Sequence, residues 1–341
     1  MSEPSFKPVM TLGLTGYNQE RYIREAVDGA LSQDFSPLEI IMSDDCSSDA
    51  TYRIMVKLTE RYSGPHRIRL NRNERNLGLA GNINRIVDLS SSDWIFIAAG
   101  DDVSLPRRAR ATWEAIQANP TAYSIYFDLD YIRDDPNNRF TFTPDTTTHD
   151  LPRMIECLGP NVAGASHAFR RESFRVFGPL PRNVVAEDRA IPFRSALLGS
   201  LVYVPEKVVK YRLHATSTTA VAHTTSASAY RQRRVSIIRI NQPTLASFAA
   251  DLLTAQETGL ISPARYSELA RAIQRRQVIL KNYLDAWEGT YWRRIYGSIA
   301  TLLTSRGIAP NSIKLKAALL LNSLCPFLDA AYHKLARNRR R

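Results

Sequence analysis

Two groups of carboxylates stand where a buried segment gives way to a loop. The stretch SDWIFIAAGDDVSLPR (Ser92–Arg107) carries an apolar run, WIFIAA, that ends on Asp101 and Asp102. LEIIMSDDCSSD ends its own apolar run on Asp44 and Asp45, with Asp49 close behind. Adjacent carboxylates repel each other and lose solvation at the end of a buried strand, so such a pair calls for a positive partner. Carboxylate oxygens prefer hard divalent cations such as Mg²⁺ or Mn²⁺, usually with a phosphate completing the shell. They also accept hydrogen bonds from ribose hydroxyls and base N–H groups. A nucleoside diphosphate with its metal satisfies all of these groups at once. The competing reading makes both groups turns, because Asp and Ser favour turns and helix caps. Asp49, just ahead of a helical stretch, reads as a cap; two acid pairs in one layer favour a site for the others. The loop after the first apolar run, TGYNQERY, has neither GxGxxG nor GxxxxGK[ST]. That argues against a nicotinamide-dependent dehydrogenase and against a P-loop NTPase.

The elements that would position these acids alternate between strand and helix. VMTLGLT (Val9–Thr15) reads as a strand, and Asn18 as the cap of a helix with Ile23, Ala26, Val27, Ala30 and Leu31 at helical spacing. LEIIMS (Leu38–Ser43) is the next strand, followed by a helix over Ala50–Tyr62, a weaker strand RIRLN (Arg67–Asn71) and a helix over Ala80–Leu89. WIFIAA is the fourth strand, Pro106 suits the first residue of the following helix, and AYSIYFDLDYI (Ala122–Ile132) is the fifth strand. Such alternation implies an α/β fold, a mostly parallel sheet with helices on both faces. In such sheets ligands bind outside the carboxyl ends of the strands, where both acid groups fall.

These motifs, taken in order, resemble the family 2 glycosyltransferases, whose fold is the Rossmann-like GT-A. The resemblance rests on Tyr17, Asn18, Glu20 and Gln33 for the opening YN.E turn and helix, and on Asp44-Asp45-Cys46-Ser47-Ser48-Asp49 for a DDGS.D-like element. Asn76-Leu77-Gly78 with Asn82 follows, then Gly100-Asp101-Asp102 as the DxD-type motif. Glu187-Asp188, preceded by GASHAFRRESFRVFGPLP, and YRLHATS (Tyr211–Ser217) complete it over roughly residues 9–217. Two departures stand out: Ala99 occupies the first Asp of a D.DD pattern, and Cys46 replaces a Gly, which disfavours a tight turn with positive φ. The resemblance implies an inverting transfer from a nucleotide-diphosphate sugar, a UDP-sugar above others, to a hydroxyl of a glycan or lipid-linked acceptor in surface polysaccharide synthesis. It implies nucleotide contacts from Thr15, Tyr17, Asp45, Arg75, Asn76 and Asp101, with Asp45 on the base and Asp101 on the ribose. Asp102, with His214, would hold Mn²⁺ or Mg²⁺, and Arg212 would touch the diphosphate. Asp188 would be the general base that takes the acceptor proton, with Glu187 as runner-up. The alternatives are another metal-dependent nucleotide-sugar enzyme, such as a nucleotidyltransferase, or a non-catalytic nucleotide-binding module. The first usually carries a Gly-rich basic loop after its first strand, which TGYNQERY lacks.

Charge divides the chain into residues 1–220, the GT-A catalytic domain, and 221–341, a basic and largely helical region. Residues 1–230 hold 26 Lys+Arg against 27 Asp+Glu; residues 231–341 hold 19 against 6. In that last third Leu269, Ile273, Leu280, Leu284 and Trp287 recur at helical spacing, as do Ile295, Ile299, Leu302 and Leu303. LKAALLLNSLCPFLDAAY is too interrupted by Asn322, Pro326 and Asp329 to read as a membrane span, which needs about 20 mostly apolar residues. Three readings compete: a helical packing or oligomerisation appendage, a peripheral anchor on an anionic membrane, and a nucleic-acid surface. Trp287, Tyr291, Trp292 and Tyr296 beside arginines favour the membrane. Nucleic acid is set aside for want of any motif. The amino terminus shows no signal-peptide pattern, and Cys46, Cys157 and Cys325, without CxxC spacing, fit a reducing cytoplasm.

Overall fold

The computed structural model describes residues 8–135, 140–144, 150–214 and 227–288, the side chains of 227–231, 233, 234 and 286 excepted. The strand-and-helix alternation is realised: β1 (Met10–Gly16), α1 (Ile23–Leu31), β2 (Leu38–Asp44), α2 (Thr51–Thr59), β3 (Arg67–Arg72), α3 (Gly78–Leu89) and β4 (Trp94–Ala99). A two-residue β5 (Val103–Ser104), α4 (Arg108–Ala118) and β6 (Ala122–Arg133) follow, then α5 (Leu151–Cys157), β7 (Ala168–Arg170), α6 (Glu172–Phe177), α7 (Glu187–Leu198) and β8 (Ser200–Leu213). The chain described closes with α8 (Ala227–Glu257) and α9 (Pro263–Glu288).

The strands form one sheet in the order β3-β2-β1-β4-β7-β6-β8-β5. The β3, β2, β1 and β4 block is parallel, β7 runs against both its neighbours, and β6 pairs with β8 in parallel. Strand residues alternate between two cores, as period-2 side chains must. Leu12, Ile40, Met42 and Phe96 pack on one face with α1 and α4; Ile41, Ile95 and Ile97 pack on the other with α3 and α7.

Two local expectations are corrected. Asn18 does not cap α1: it sits at φ 51, and its Oδ1 accepts from the Ser48 N–H and hydroxyl, 2.9 and 3.2 Å away, tying the loop after β1 to the loop after β2. Pro106 lies before α4, not at its first residue, and its carbonyl accepts from the Asp34 N–H.

The apolar stripe of α9 lies against protein. Leu269, Ile273, Leu280 and Trp287 share a third core with Phe248 and Leu252 of α8, Phe193 and Leu197 of α7 and Met154 of α5, with Leu284 packed against it. Trp287 is only 2% exposed, so it packs in a core and does not face a membrane. Arg194 of α7 and Asp251 of α8 add a buried ion pair at 2.9 Å. No described helix is long and apolar enough to cross a membrane. Tyr291, Trp292, Tyr296 and the stretch Leu315–Tyr332 lie outside the described residues, as do Ala215–Ser217 of the YRLHATS element.

Candidate active site

The carboxyl ends of β1, β2 and β4 are level, because Gly16 pairs with Asp44 and Thr15 with Ala99. The two acid groups therefore stand on either side of β1, about 10 Å apart at the usual strand spacing. Their chemistry differs.

In the first group the protein supplies most of the donors, although Asp44 Oδ1 is buried with no hydrogen-bond partner among the described residues. Asp44 is buried, and its Oδ2 accepts from the Ser47 N–H at 3.0 Å with Arg72 Nε 3.4 Å away. Asp45 is buried too: Oδ1 accepts from Asn73 Nδ2 and the Leu77 N–H, both at 2.8 Å, and Oδ2 from the Gly78 N–H at 2.9 Å. It thereby closes the entry to α3, where exposed N–H groups favour an anion. Asp49 accepts from the Thr51 N–H and hydroxyl at 2.9 and 2.6 Å. The N-cap of α2 is Ala50, so Asp49 is not the expected cap but satisfies the first helical N–H from one residue before it. Burial pushes its carboxyl up, but these bonds and that from the Glu20 N–H leave it below the ordinary range. Cys46, between these acids, adopts φ 61, so the turn expected to need Gly forms with Cys.

The second group faces outward on one residue only. Asp101 Oδ2 lies 3.0 Å from His214 Nε2 at the end of β8, and the Asp101 side chain is 20% exposed. Asp102 is enclosed: Oδ1 accepts from the Arg212 N–H at 2.8 Å, and Oδ2 is buried with no hydrogen-bond partner among the described residues. Burial first, then the Asp101 charge, pushes the Asp102 carboxyl well above the usual range, with the Arg212 N–H, Arg108 and Arg212 opposing. The accessible oxygens expected on Asp102 thus belong to Asp101: both residues lie in a turn closed by the Asp102 N–H on the Ala99 carbonyl at 3.2 Å, which leaves Asp101 partly exposed and Asp102 buried.

The protein also holds positive partners that the sequence reading left to a metal. Arg108 on α4 is fully buried, donating to Ser104 Oγ at 2.9 Å and the Ile97 carbonyl at 2.7 Å. Burial lowers its guanidinium to about 9, with Asp102 opposing. Arg212, expected at a diphosphate, donates from Nε to the Asp101 carbonyl at 2.9 Å and from Nη2 to Glu25 at 3.0 Å. Its guanidinium lies 4.9 Å from the Tyr22 ring, against which the His214 ring also packs at 4.9 Å. Arg212 therefore ties the ends of β4 and β8 to α1. Arg108, Tyr22 and Glu25 were not foreseen; only the three-residue spacing of Tyr22 and Glu25 on one helix face hinted at a shared partner.

A second acid pair stands at the same edge. Because β7 runs antiparallel to β4, the residues just before it lie beside the carboxyl end of β4, and the Ile97 N–H donates to the His167 carbonyl at 3.3 Å. Glu187 and Asp188 open α7 against this segment: a Cβ added to Gly164 would stand 2.7 Å from Glu187 Oε1 and 3.3 Å from Asp188 Cβ. Both acids are half-buried, and among the described residues neither side chain hydrogen-bonds another side chain. Burial, then Asp188, raises Glu187 to about 8; burial also raises Asp188, opposed by Arg189 and its own N–H at the helix start. A carboxylate held partly above its usual range in a cleft is a candidate proton acceptor.

The remaining expected contacts ring the crevice. Thr15 is buried, its hydroxyl donating to the Ala98 carbonyl at 3.3 Å; Tyr17 is 47% exposed. Arg75 and Asn76 are exposed on the loop entering α3, and Asn76 Oδ1 accepts from the Gly78 N–H at 2.8 Å. Asp45 has three of about four acceptor positions engaged, which leaves one for a ligand N–H. Among the described residues no three His, Cys, Asp or Glu side chains cluster to hold a metal by themselves. Asp101 Oδ2 and His214 Nε2, 3.0 Å apart, are the pair that could share a divalent cation, which would supply positive charge beside a diphosphate.

Residues 13–178 match the family described as Glycosyl transferase family 2. An uncharacterized protein of Mycobacterium tuberculosis is 26% identical over 318 residues, covering 87% of this chain and 89% of its own. The succinoglycan biosynthesis protein ExoO of Rhizobium meliloti is 26% identical over 191 residues, 56% of this chain and 52% of that protein. Among solved structures, S. aureus TarS 1–349 with UDP-GlcNAc superposes with a TM-score of 0.58 at 14% identity, covering 95% of this chain and 91% of that one. The chain spans about half, 49%, of the longer S. aureus TarS chain. The mannosyltransferase PcManGT of Pyrobaculum calidifontis, with GDP-Man and Mn²⁺, gives a TM-score of 0.51 at 16% identity, over 95% of this chain and 83% of that one. These structures share the GT-A fold with the chain.

Proposed function

The core of the chain, residues 13–178, belongs to glycosyltransferase family 2, and from that premise we propose an inverting transferase that moves a sugar from a nucleotide-diphosphate donor to a hydroxyl of a glycan or lipid-linked acceptor. UDP is the nucleotide of first choice, and surface polysaccharide assembly the setting. The observation that carries this reading is the placement of two acid sets at the carboxyl end of β4: Asp101 with His214, and Glu187 with Asp188.

In this reading the base rests against Tyr17 and Thr15 with Asp45 and the Arg75–Asn76 loop at its edge, and Asp101 reaches the ribose. Asp101 and His214 would hold Mn²⁺ or Mg²⁺, which when bound supplies positive charge against the departing diphosphate. Arg212 positions both ligands by tying β8 to β4. Asp188 accepts the proton of the acceptor hydroxyl as that oxygen attacks, since a carboxylate in hydrogen-bond reach can make the hydroxyl nucleophilic. Burial and the Asp188 charge hold Glu187 above the ordinary carboxylate range, which favours leaving the negative charge to its neighbour. The basic last third, with 19 Lys+Arg against 6 Asp+Glu, supports attachment to the anionic cytoplasmic face of a membrane; failure to pellet with anionic liposomes at low salt would remove that element.

Calorimetric titration of UDP, with and without Mn²⁺, tests the core of the proposal on wild type, Asp101→Asn and Asp188→Asn. Metal-dependent binding that is lost in the first variant and kept in the second, with transfer lost in both, is expected. Absence of binding by UDP, GDP, dTDP and CDP would favour a protein that kept the fold without its activity.

A further inference from the structure

Helix α7 carries Glu187 and Asp188 in its first turn and Pro192 in its second. Pro192 has no N–H, so the Asp188 carbonyl lacks the bond that a helix would bring it from four residues on. The turn that holds both acids is thereby joined to the rest of α7 by one bond fewer than an uninterrupted helix provides. Beyond Pro192 the helix is fixed from two sides. Phe193 stacks on Phe248 of α8 with ring centroids 4.0 Å apart, and Arg194 pairs with Asp251 of α8 at 2.9 Å. Ser195 Oγ accepts from the Ser124 hydroxyl of β6 at 2.8 Å.

Before Pro192 the anchoring is thinner. Ala190 and Ile191 are buried in the core shared with α3. Among the described residues the one side-chain hydrogen bond from this turn is made by Arg189, whose Nη1 donates to Asn241 Oδ1 of α8 at 2.7 Å. Asn241 is itself buried. The root of Arg189 is seated as well: a Cβ added to Gly159, at φ 103, would stand 2.6 Å from Arg189 Cβ. Consecutive helical residues point about 100° apart, so this bond draws Arg189 toward α8 while Asp188 keeps to the segment around Gly164. Arg276 of α9 is near enough that the Arg189 charge opposes its own, while Glu156, Cys157 and Tyr283 favour it. Asn241 is thus a neutral acceptor set among charged groups, and it holds a cation that a second cation repels.

We infer that Arg189 and Asn241 are positioning residues for the transfer: through their bond α8 sets the rotation of the first turn of α7, and with it the direction of the Asp188 carboxylate. The inference rests on the transferase reading above and gives the C-terminal helices a part in the reaction. A misplacement of about 1 Å can cost a reaction about a hundredfold in rate, so this tie is felt in turnover even where stability hardly changes.

The test uses the full chain as wild type, Asn241→Leu, Asn241→Asp and Arg189→Met. Asn241→Leu removes the acceptor without changing charge, Asn241→Asp keeps it, and Arg189→Met keeps the stem without the guanidinium. Asn241→Leu and Arg189→Met are expected to speed hydrogen exchange over residues 187–191 several-fold and to leave residues 195–198 at the wild-type rate. Asn241→Asp restores the wild-type pattern. In UDP release from UDP-glucose, UDP-galactose and UDP-N-acetylglucosamine, kcat falls about tenfold or more in the first two variants while KM stays unchanged. UDP affinity by calorimetry also stays unchanged. Arg189→Met raises the Asp188 titration midpoint by about half a pH unit or more, because a neighbouring cation is gone; NMR of carboxyl-labelled protein reads it, with Asp188→Asn assigning the signal. The exchange and titration measurements need no knowledge of the donor. Wild-type exchange over residues 187–191 in Asn241→Leu overturns the positioning role, and normal UDP binding then leaves the transferase reading standing. Equal acceleration over residues 187–191 and 195–198 also overturns it, since the whole helix would have loosened. If wild type binds none of UDP, GDP, dTDP and CDP, the transferase reading falls and takes the catalytic role of the pair with it.

Discussion

Replacing Asp102 by Asn and by Ala separates a buried strut from a metal ligand. Asp102 Oδ1 accepts from the Arg212 N–H at 2.8 Å, whereas Oδ2 is buried with no partner among the described residues. Asn keeps the first oxygen and puts a neutral amide where burial already favours the protonated acid. The expected cost is therefore below about 1 kcal/mol, the size of a single modest hydrogen-bond change. Ala removes the acceptor, strands the Arg212 N–H in the interior and leaves a small void, for a loss of about 2–3 kcal/mol. Urea denaturation reads both, the midpoint moving while the slope stays constant. On the functional side, Asp102→Asn should retain Mn²⁺-dependent UDP binding and Asp101→Asn should lose it, because only Asp101 presents an accessible oxygen beside His214. If Asp102→Asn abolished the metal dependence, or cost as much as Asp102→Ala, the division of labour argued from the structure would be wrong.

Three further outcomes follow from the same geometry. Glu187 is raised to about 8, so the folded state holds its proton where the unfolded chain has released it. Stability from this group is present below its ordinary range and is lost as pH climbs to about 8, with a slope of at most about 1.4 kcal/mol per pH unit. Glu187→Gln should flatten that part of the pH–stability curve, and an unchanged curve would refute the burial argument. Asp251→Ala leaves Arg194, 2% exposed, without its partner; a loss of about 3–5 kcal/mol in urea denaturation is expected, and a loss near zero would mean that the pair is hydrated. Gly100→Ala would push a Cβ to 2.9 Å from the Thr15 carbonyl, costing about 1–3 kcal/mol by overpacking and weakening UDP binding in calorimetry, whereas wild-type behaviour in both would show that the β1 and β4 ends can separate.

The strands were legible because their evidence is local. WIFIAA is bounded by polar residues on both sides, and β4 occupies those six positions, Trp94–Ala99. The loops were not, because what stabilises them comes from elsewhere in the sheet. Asn18 and Cys46 both adopt positive φ, and the Asn18 side chain is satisfied by Ser48, thirty residues on, once β1 and β2 lie side by side. The same limit explains Asp101 and Asp102. Their types announce a site, yet the turn that holds them, closed by the Asp102 N–H on the Ala99 carbonyl, buries one and leaves the other partly exposed. Which one faces the crevice is decided by β8, whose Arg212 N–H reaches Asp102 across 110 residues. The helical period of α9 was equally readable and equally incomplete. A stripe of Leu269, Ile273, Leu280 and Trp287 fits a membrane or a protein core, and only the neighbouring apolar faces of α5, α7 and α8 choose between them. Periodicity says that a face is apolar; it takes the fold to supply what that face meets. That is also why the tie between α7 and α8 left no motif: Arg189 and Asn241 stand 52 positions apart and are brought together by a core that neither belongs to.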